Sequence, residues 1–174
     1  MGSSQQEPTV QRARTGDQSA FRELYERHVD ALFRFLMQFS ANRAEVKDWV
    51  QQAFIKAFEN LNTFEGRSQF RTWLWRIAIN EMKMSRRGAL RFDTMEELPD
   101  NGKAQGGLPP ETLMTMRSEI ENLDERKRMV LILYEVEGYS HREIAGMLEV
   151  GESTSRTILT RAKSELREQI GKRP

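Results

Sequence analysis

The sequence predicts an all-α protein with two helical domains joined by a flexible linker, and three observations support this fold class. Charged residues make up 30% of the 174 positions, and the apolar residues recur at spacings of three and four. The β-branched runs and paired turn dipeptides that are typical of sheets are scarce. A stretch rich in helix breakers also interrupts the helical pattern near the middle of the chain.

The pattern divides the chain into four segments. Residues 1–15 are predicted to be an N-terminal tail, and residues 16–90 a first helical domain. Residues 91–111 have no apolar periodicity and end near Pro109-Pro110, over a length that is ordinary for a linker and unusual inside a compact domain. Helical spacing resumes in residues 112–174, which we expect to form the second domain.

Three helices are predicted in the first domain. One opens at Gly16, and a second runs from about Arg43 to Leu61 with an apolar stripe along one side. After a loop, a third helix is expected to begin near Ser68 and to end at Gly88, because glycine commonly terminates helices.

The second domain ends in two helices that are separated by a tight turn. Ser140-His141-Arg142-Glu143 fits a capping box, in which serine and glutamate side chains satisfy the first amides of a helix. A short turn at residues 149–152 leads to a last helix with one apolar side and one basic side. This arrangement is the outline of a helix-turn-helix.

Composition excludes several classes of function. The chain has no cysteine and only two histidines, so no disulfide, metal site or cofactor is expected, and no group is predicted to be catalytic. No secretory signal and no apolar run long enough to span a bilayer is present, so we expect a cytoplasmic protein without membrane insertion. Net charge is only +1, but residues 64–92 carry a local charge of +5 and residues 153–174 one of +4.

The basic side of the last helix is a candidate for duplex DNA. In a helix-turn-helix the second helix enters the major groove, and the first helix faces the phosphates. Arginine pairs with guanine, and threonine contacts a thymine methyl group or donates to a phosphate. A solvated basic face on a small bundle explains the local pattern equally well. The candidate DNA-binding residues are His141, Arg142, Arg156, Thr157, Thr160, Arg161 and Lys163.

The first domain contains aromatic residues among cations, a combination that suits unstacked bases. Phe70 and Trp73 are predicted to be in the core, whereas Phe64 and Trp75 are predicted to be exposed. Asn80 offers a donor and an acceptor to a base edge.

Three segments resemble a known family. Residues 64–80, with Arg86-Arg87 following, look like region 2 of bacterial sigma factors of the extracytoplasmic-function (ECF) type. Residues 48–58 resemble the polymerase-docking helix of that family, and residues 137–163 are similar to its region 4 helix-turn-helix. The likeness covers about residues 16–90 and 112–170.

The resemblance implies a role for each segment. One helix would dock on the clamp helices of the largest polymerase subunit, through Asp48, Gln51, Gln52 and Lys56. Region 2 would melt and read the −10 element, through Phe64, Arg76, Asn80, Lys83, Arg86 and Arg87. Region 4 would read the −35 element as a duplex. The implied partners are core RNA polymerase, including its flap, promoter DNA and an anti-sigma factor.

The helix-turn-helix departs from the family pattern at three positions. Glu149 stands where the family commonly has glycine, Ser155 where it has valine, and Ile158 where it has a second arginine. Ser155 is expected to weaken helix packing, and Gly151 to supply the turn's flexibility. The −35 preference is therefore the part of the resemblance that transfers least.

Two other classes of protein stay open. A transcription regulator would combine the helix-turn-helix with an N-terminal sensing domain. A small helical hydrolase or nuclease would need clustered carboxylates, and the nearest pair, Glu45 and Asp48, is better explained by helix capping or solvation.

Overall fold

The computed structural model describes residues 8–89 and 117–171, and the chain divides into two units, Met1–Asn101 and Gly102–Pro174. Within the described ranges every regular element is helical, which confirms the predicted all-helical class. The predicted linker at residues 91–111 lies outside the described residues. No helix in the described part of the chain is both long and apolar enough to cross a bilayer.

Residues 8–89 of the first unit form four α-helices and a short 3₁₀ turn. Helix α4 packs on α3, α3 on α2, and α2 on α1, so that α2 and α3 occupy the middle of the bundle. The elements are α1 (Pro8–Arg14), α2 (Gln18–Leu36), α3 (Arg43–Glu59), the 3₁₀ turn (Leu61–Thr63) and α4 (Phe70–Ala89).

Helix α1 corrects the prediction that residues 1–15 are only a tail. Val10 and Ala13 are buried against the bundle, and Pro8 occupies the first turn, where a missing amide costs no hydrogen bond. Arg12 then donates to Asp17 at 2.9 Å and to Ser19 at 2.8 Å, which ties α1 to the start of α2. A helix of seven residues is too short to produce a clear periodicity.

Polar caps fix where the long helices begin. The Asp17 carboxylate accepts from the amides of Ser19 and Ala20, and the Asn42 side chain caps α3 in the same way. Hydrogen bonds from Ser19 and from Arg12 hold the pKa of Asp17 at about 2, so this cap is ionised over the physiological range. Gly88 does not end α4 as predicted, because the helix continues to Ala89.

The second unit ends in the predicted helix-turn-helix. Helix α6 packs on α8, and α7 packs on α8. The elements are a helical segment at residues 117–122 (α5), α6 (Glu125–Leu131), a π-helical turn (Ile132–Val136), α7 (His141–Leu148) and α8 (Glu152–Gly171).

The π-helical turn changes the register of the apolar stripe. Met129, Val130 and Leu133, which are spaced as on one side of a helix, are buried, whereas Val136 is 71% exposed. A π turn holds more residues than an α turn, so the side chains beyond it rotate away from the buried side. The same turn leaves Tyr134 partly exposed beside α7.

The turn between α7 and α8 differs from the prediction. Ser140 and Glu143 form the complete capping box. The left-handed residue is Glu149, with φ of 57°, whereas Gly151 is not among the glycines of positive φ in the described ranges. The prediction for Gly151 was therefore wrong, and a residue with a Cβ occupies the conformation that favours glycine.

Replacing Glu149 by glycine is expected to stabilise the second unit by about 1 kcal/mol, because glycine removes the steric cost of the left-handed conformation. Amide hydrogen exchange in α7 and α8 measures the change. The control is Glu149→Ala, which keeps the Cβ and should not stabilise the unit. Equal protection in both variants would contradict the explanation.

His28 is a buried histidine in the core of the first unit. Its ring lies 5.5 Å from the Phe70 ring and 6.5 Å from the Trp75 ring, and its Nε2 has no hydrogen-bond partner among the described residues. Burial, assisted by the charges of Arg27 and Arg71, lowers the pKa of His28 to about 4. The core therefore requires a neutral imidazole.

The first unit is expected to lose stability as the pH falls from 7.5 to 5.5. The unfolded chain binds a proton at His28 with a pKa near 6.5 and the folded chain only near 4, so protons favour unfolding between these values. The expected loss is about 1 kcal/mol by pH 5.5. Urea unfolding followed by tryptophan fluorescence measures it, since Trp49, Trp73 and Trp75 all lie in this unit.

The matched variants are His28→Leu and His141→Gln. The leucine variant should lack this part of the pH dependence, and the glutamine variant should retain it because His141 lies in the other unit. An unchanged pH dependence in His28→Leu would assign the effect to other groups.

Candidate nucleic-acid interface

One side of α4 presents a polar and basic surface, which we call the α4 face. Its members follow one another at helical steps of three or four, and the opposite side of the helix is buried. Arg76 and Arg87 are exposed, while Asn80 and Lys83 are half-buried. The α4 face consists of Trp73, Arg76, Asn80, Lys83 and Arg87, and the buried side of Leu74, Trp75, Ala78, Ile79 and Met82.

The aromatic residues exchange their predicted positions. Trp75 is fully buried, with the Arg71 guanidinium 4.6 Å from its ring, whereas Trp73 is half-buried. Phe64 is also buried, 5.1 Å from the Trp73 ring and 6.2 Å from the Phe70 ring. The predictions that Phe64 and Trp75 are exposed were therefore wrong. The buried side of α4 includes Trp75 rather than Trp73, and Phe64, in the loop before α4, packs on the rings of Phe70 and Trp73.

Arg86 makes its contacts inside the first unit. Its guanidinium donates to the Phe39 carbonyl oxygen and lies 5.4 Å from the Trp49 ring. These contacts tie the end of α4 to α3 and to Phe39, three residues after the end of α2. Arg86 and Arg87, adjacent in sequence, thus have different surroundings.

Arg86→Ala is expected to destabilise the first unit by roughly 1–3 kcal/mol, because a charged hydrogen bond and the stacking on Trp49 are lost. Arg87→Ala should change the free energy of unfolding by less than about 0.5 kcal/mol, since Arg87 is exposed. Urea unfolding monitored by tryptophan fluorescence compares the two. Similar losses in both variants would show that Arg86 has no special packing role.

Helix α3 carries the residues predicted to dock on polymerase. Asp48, Gln51 and Gln52 are exposed on one side of the helix. Lys56 forms an ion pair with Glu81 of α4 at 2.5 Å, so its charge also serves packing inside the unit. Ile55, which the sequence analysis missed, is 40% exposed. Its position three and four residues after Gln52 and Gln51 was the available signal.

Helix α8 exposes four of the predicted DNA-binding residues, Arg156, Thr157, Thr160 and Arg161. Its buried side consists of Ser155, Leu159 and Ala162. The hydroxyl groups of Thr157 and Thr160 donate to the carbonyl oxygens four residues earlier, each at 3.0 Å. The Arg156 guanidinium pairs with Glu152.

His141, at the start of α7, is held by two contacts. Its ring stacks on Tyr134 at 4.5 Å, and its Nδ1 lies 3.0 Å from the Ser155 hydroxyl oxygen. Burial, followed by the charge of Arg156, lowers the pKa of His141 below its usual value. The neutral form of the ring is therefore favoured.

Arg142 and Lys163, two further predicted DNA-binding residues, have different surroundings. Arg142 is exposed on α7. Lys163 pairs with Glu135 at 2.5 Å and lies 5.8 Å from the Tyr134 ring. Sequence reasoning missed Tyr134, since a π-helical turn leaves no signal that we could use.

Comparison with known proteins agrees with both units. Residues 24–92 match the family model Sigma-70 region 2, and residues 113–166 match Sigma-70, region 4. The ECF RNA polymerase sigma-E factor of Escherichia coli (strain K12) is 33% identical over 178 residues, covering 92% of each chain. The RNA polymerase sigma-H factor of Pseudomonas aeruginosa is 30% identical over 177 residues, covering 93% of this chain and 92% of the relative.

Two solved structures are also similar. CnrH, in complex with the cytosolic domain of CnrY, has a TM-score of 0.69 and 28% identity, covering 94% of this chain and 95% of that one. The sigma factor RpoE of Bartonella quintana, in complex with the anti-sigma factor NepR, has a TM-score of 0.72 and 23% identity, covering 88% and 98%. The second likeness supports the fold alone.

The two helical units and their matched regions define a sigma factor of the sigma-70 class. The chain belongs to the ECF family of RNA polymerase sigma factors. It binds RNA polymerase and directs promoter-specific initiation of transcription, and this family is not a class of enzymes. The region 2 match disfavours the alternative of a regulator with an N-terminal sensing domain.

Proposed function

We propose that the α4 face binds the melted −10 strand while the exposed side of α8 reads the −35 duplex. The single observation that carries this proposal is the α4 face, in which cations, an amide and an aromatic ring share one side of a helix. Cations track a backbone, an aromatic ring stacks on bases, and an amide pairs with a base edge. This combination fits single-stranded DNA better than a paired duplex.

Each residue of the −10 surface has a role in this proposal. Asn80 contacts the edge of an extruded base, and Trp73 offers a stacking surface nearby. Arg76, Lys83 and Arg87 neutralise phosphates. Phe64, being buried beneath Trp73, supports the loop before α4 rather than touching the base. Arg86 positions the end of α4 through Phe39 and Trp49.

The exposed side of α3 is proposed to dock on the clamp helices of the largest polymerase subunit. Asp48, Gln51 and Gln52 offer polar contacts around the exposed Ile55, a small apolar centre with a polar rim that is typical of protein interfaces. Lys56 contributes a positive charge to this surface, and the ion pair with Glu81 neutralises part of that charge. A second contact, to the polymerase flap, is assigned to the region 4 unit.

Region 4 is proposed to read the −35 element through α8. Arg156 and Arg161 have the chemistry to pair with guanine, and the outer surfaces of Thr157 and Thr160 can contact thymine methyl groups. Their hydroxyl protons are occupied by backbone carbonyl groups, so the methyl contact is favoured over donation to phosphate. Arg142 and Lys163 add charge for the phosphates on either side.

The remaining parts of the proposal concern partners and location. An anti-sigma factor is proposed because a similar sigma factor was solved with such a partner, and CnrH, which is also similar, was solved with the cytosolic domain of another protein. We assign the chain to the cytoplasm, where RNA polymerase acts, and we assign it no catalytic activity of its own.

Run-off transcription with purified core polymerase tests the proposal. The complete chain is added to core enzyme on a randomised promoter library, and the transcribed templates are sequenced. We expect enrichment of two short elements at −10 and −35. Transcription without any enriched element, or none above core enzyme alone, would overturn it.

Two variants separate base reading from charge on the α4 face. Asn80→Ala should lose discrimination at one −10 position, by about 1–3 kcal/mol. Arg87→Ala should weaken binding evenly across sequences and reduce the dependence of log K on log salt by about one unit. The measurements are promoter affinities of the reconstituted holoenzyme at several salt concentrations.

The matched control removes an arginine elsewhere. Arg22→Ala takes one exposed charge from α2, outside the α4 face, and should leave both selectivity and the salt dependence unchanged. If Arg22→Ala and Arg87→Ala behave alike, the α4 face does not contact DNA.

A further inference from the structure

A buried serine lies between the two helices of the helix-turn-helix. Ser155 of α8 is completely buried, at a contact that apolar side chains usually fill. Among the described residues its hydroxyl has one hydrogen-bond partner, the Nδ1 atom of His141 on α7, at 3.0 Å. Thr157 and Thr160, on the same helix, donate instead to backbone carbonyl groups. The Ser155 hydroxyl is therefore directed across the helix pair.

The direction of this hydrogen bond and the tautomer of the imidazole depend on each other, since a serine hydroxyl can donate or accept. A buried hydroxyl donates its proton where an acceptor is available, and a neutral imidazole accepts through the nitrogen that carries no hydrogen. When Ser155 donates to Nδ1, the hydrogen of the neutral ring is on Nε2. Burial is the largest cause that lowers the pKa of His141; Arg156 and Lys163 lower it further, while Glu152 raises it.

A second contact fixes the plane of the ring. Tyr134 stacks on it with an angle of 25° between the two rings, and Glu135 beside Tyr134 pairs with Lys163 of α8. The π-helical turn Ile132–Val136 puts Tyr134 in this position. Hydrogen bond and stacking together leave His141 one orientation, with its ring only half-buried.

We propose that Ser155 and Tyr134 are positioning residues that hold His141 as a neutral Nε2–H donor to a phosphate oxygen of the −35 duplex. The proposal rests on the proposed reading of the −35 element by region 4. In a helix-turn-helix the start of the first helix lies beside the DNA backbone, which is where His141 stands. Ser155 thus couples the recognition helix to a phosphate contact made from the helix before it.

The first experiment measures the tautomer and the pKa of His141 in the full chain without DNA. The chain has only two histidines, so ¹⁵N imidazole spectra are assigned with the His28→Leu variant. We expect His141 to be the Nε2–H tautomer at pH 7.5. Ser155→Ala should mix the two tautomers and raise the pKa of His141, because the hydrogen bond to the neutral form is lost. An unchanged tautomer and pKa would overturn the positioning role.

The second experiment measures affinity of the reconstituted holoenzyme for two promoter fragments, one with the selected −35 element and one with that element replaced. Ser155→Ala and Tyr134→Leu should each weaken binding to both fragments about three- to tenfold, the effect of one neutral hydrogen bond, because a phosphate contact carries no base preference. Tyr134→Phe keeps the stacking surface and should bind like the parent chain.

A double variant separates positioning from general loss of packing. Ser155→Ala combined with His141→Ala should bind no more weakly than His141→Ala alone, because the serine acts through the histidine. Additive losses would assign Ser155 to packing and overturn the proposal. If the unsubstituted chain does not distinguish the two fragments, the proposed −35 reading fails and this proposal fails with it. If it does distinguish them but Ser155→Ala has no effect, only the positioning role fails.

Discussion

Burial of one side of α4 is the constraint on which the first unit depends. Trp75, Leu74, Ala78, Ile79 and Met82 pack inward, and a helix has no freedom to rotate about its axis once such a stripe is buried. The residues of the α4 face must then point to solvent together, as a row with the spacing of helical turns. Arg86 completes the arrangement from the inner side, since its contacts with Phe39 and Trp49 hold the last turns of α4 against the bundle.

In the second unit, burial of one side of α8 likewise fixes the rotation of the helix, but the buried side includes a polar residue. Leu159 and Ala162 bury one side of α8, but Ser155 occupies the next position of that stripe and bonds to His141. An apolar contact would be non-directional, whereas a hydrogen bond fixes distance and orientation. Recognition helix and preceding helix are thereby held in a defined register, and a ring that could otherwise rotate is held in one tautomer.

The sequence predicted much of the fold, because apolar periodicity, caps and breakers are local signals. The capping box at Ser140 and the apolar stripe of α3 were visible in this way. The rotation of α4 about its axis was not visible, because no local signal tells which of Trp73 and Trp75 is buried. Helix α1 was too short to show a period, and the π-helical turn changed the register of Tyr134 and Val136. Ser155 was recognised as unusual, but its partner lies fourteen residues away on another helix, where only the fold brings them together.

The contacts of α8 also bear on how strongly it can select a sequence. Thr157 and Thr160 already donate to the backbone, and Arg156 already pairs with Glu152. Binding to a base must exchange these internal partners for DNA, so each contact contributes only the difference between two hydrogen-bonded states. Discrimination between bases by α8 therefore depends on geometry, because its side chains must enter the groove in a fixed orientation. A helix held by the Ser155–His141 hydrogen bond meets that requirement better than one held by apolar packing alone. The left-handed backbone of Glu149, in the turn between α7 and α8, is strained, and this coupling between the helices has to offset the strain.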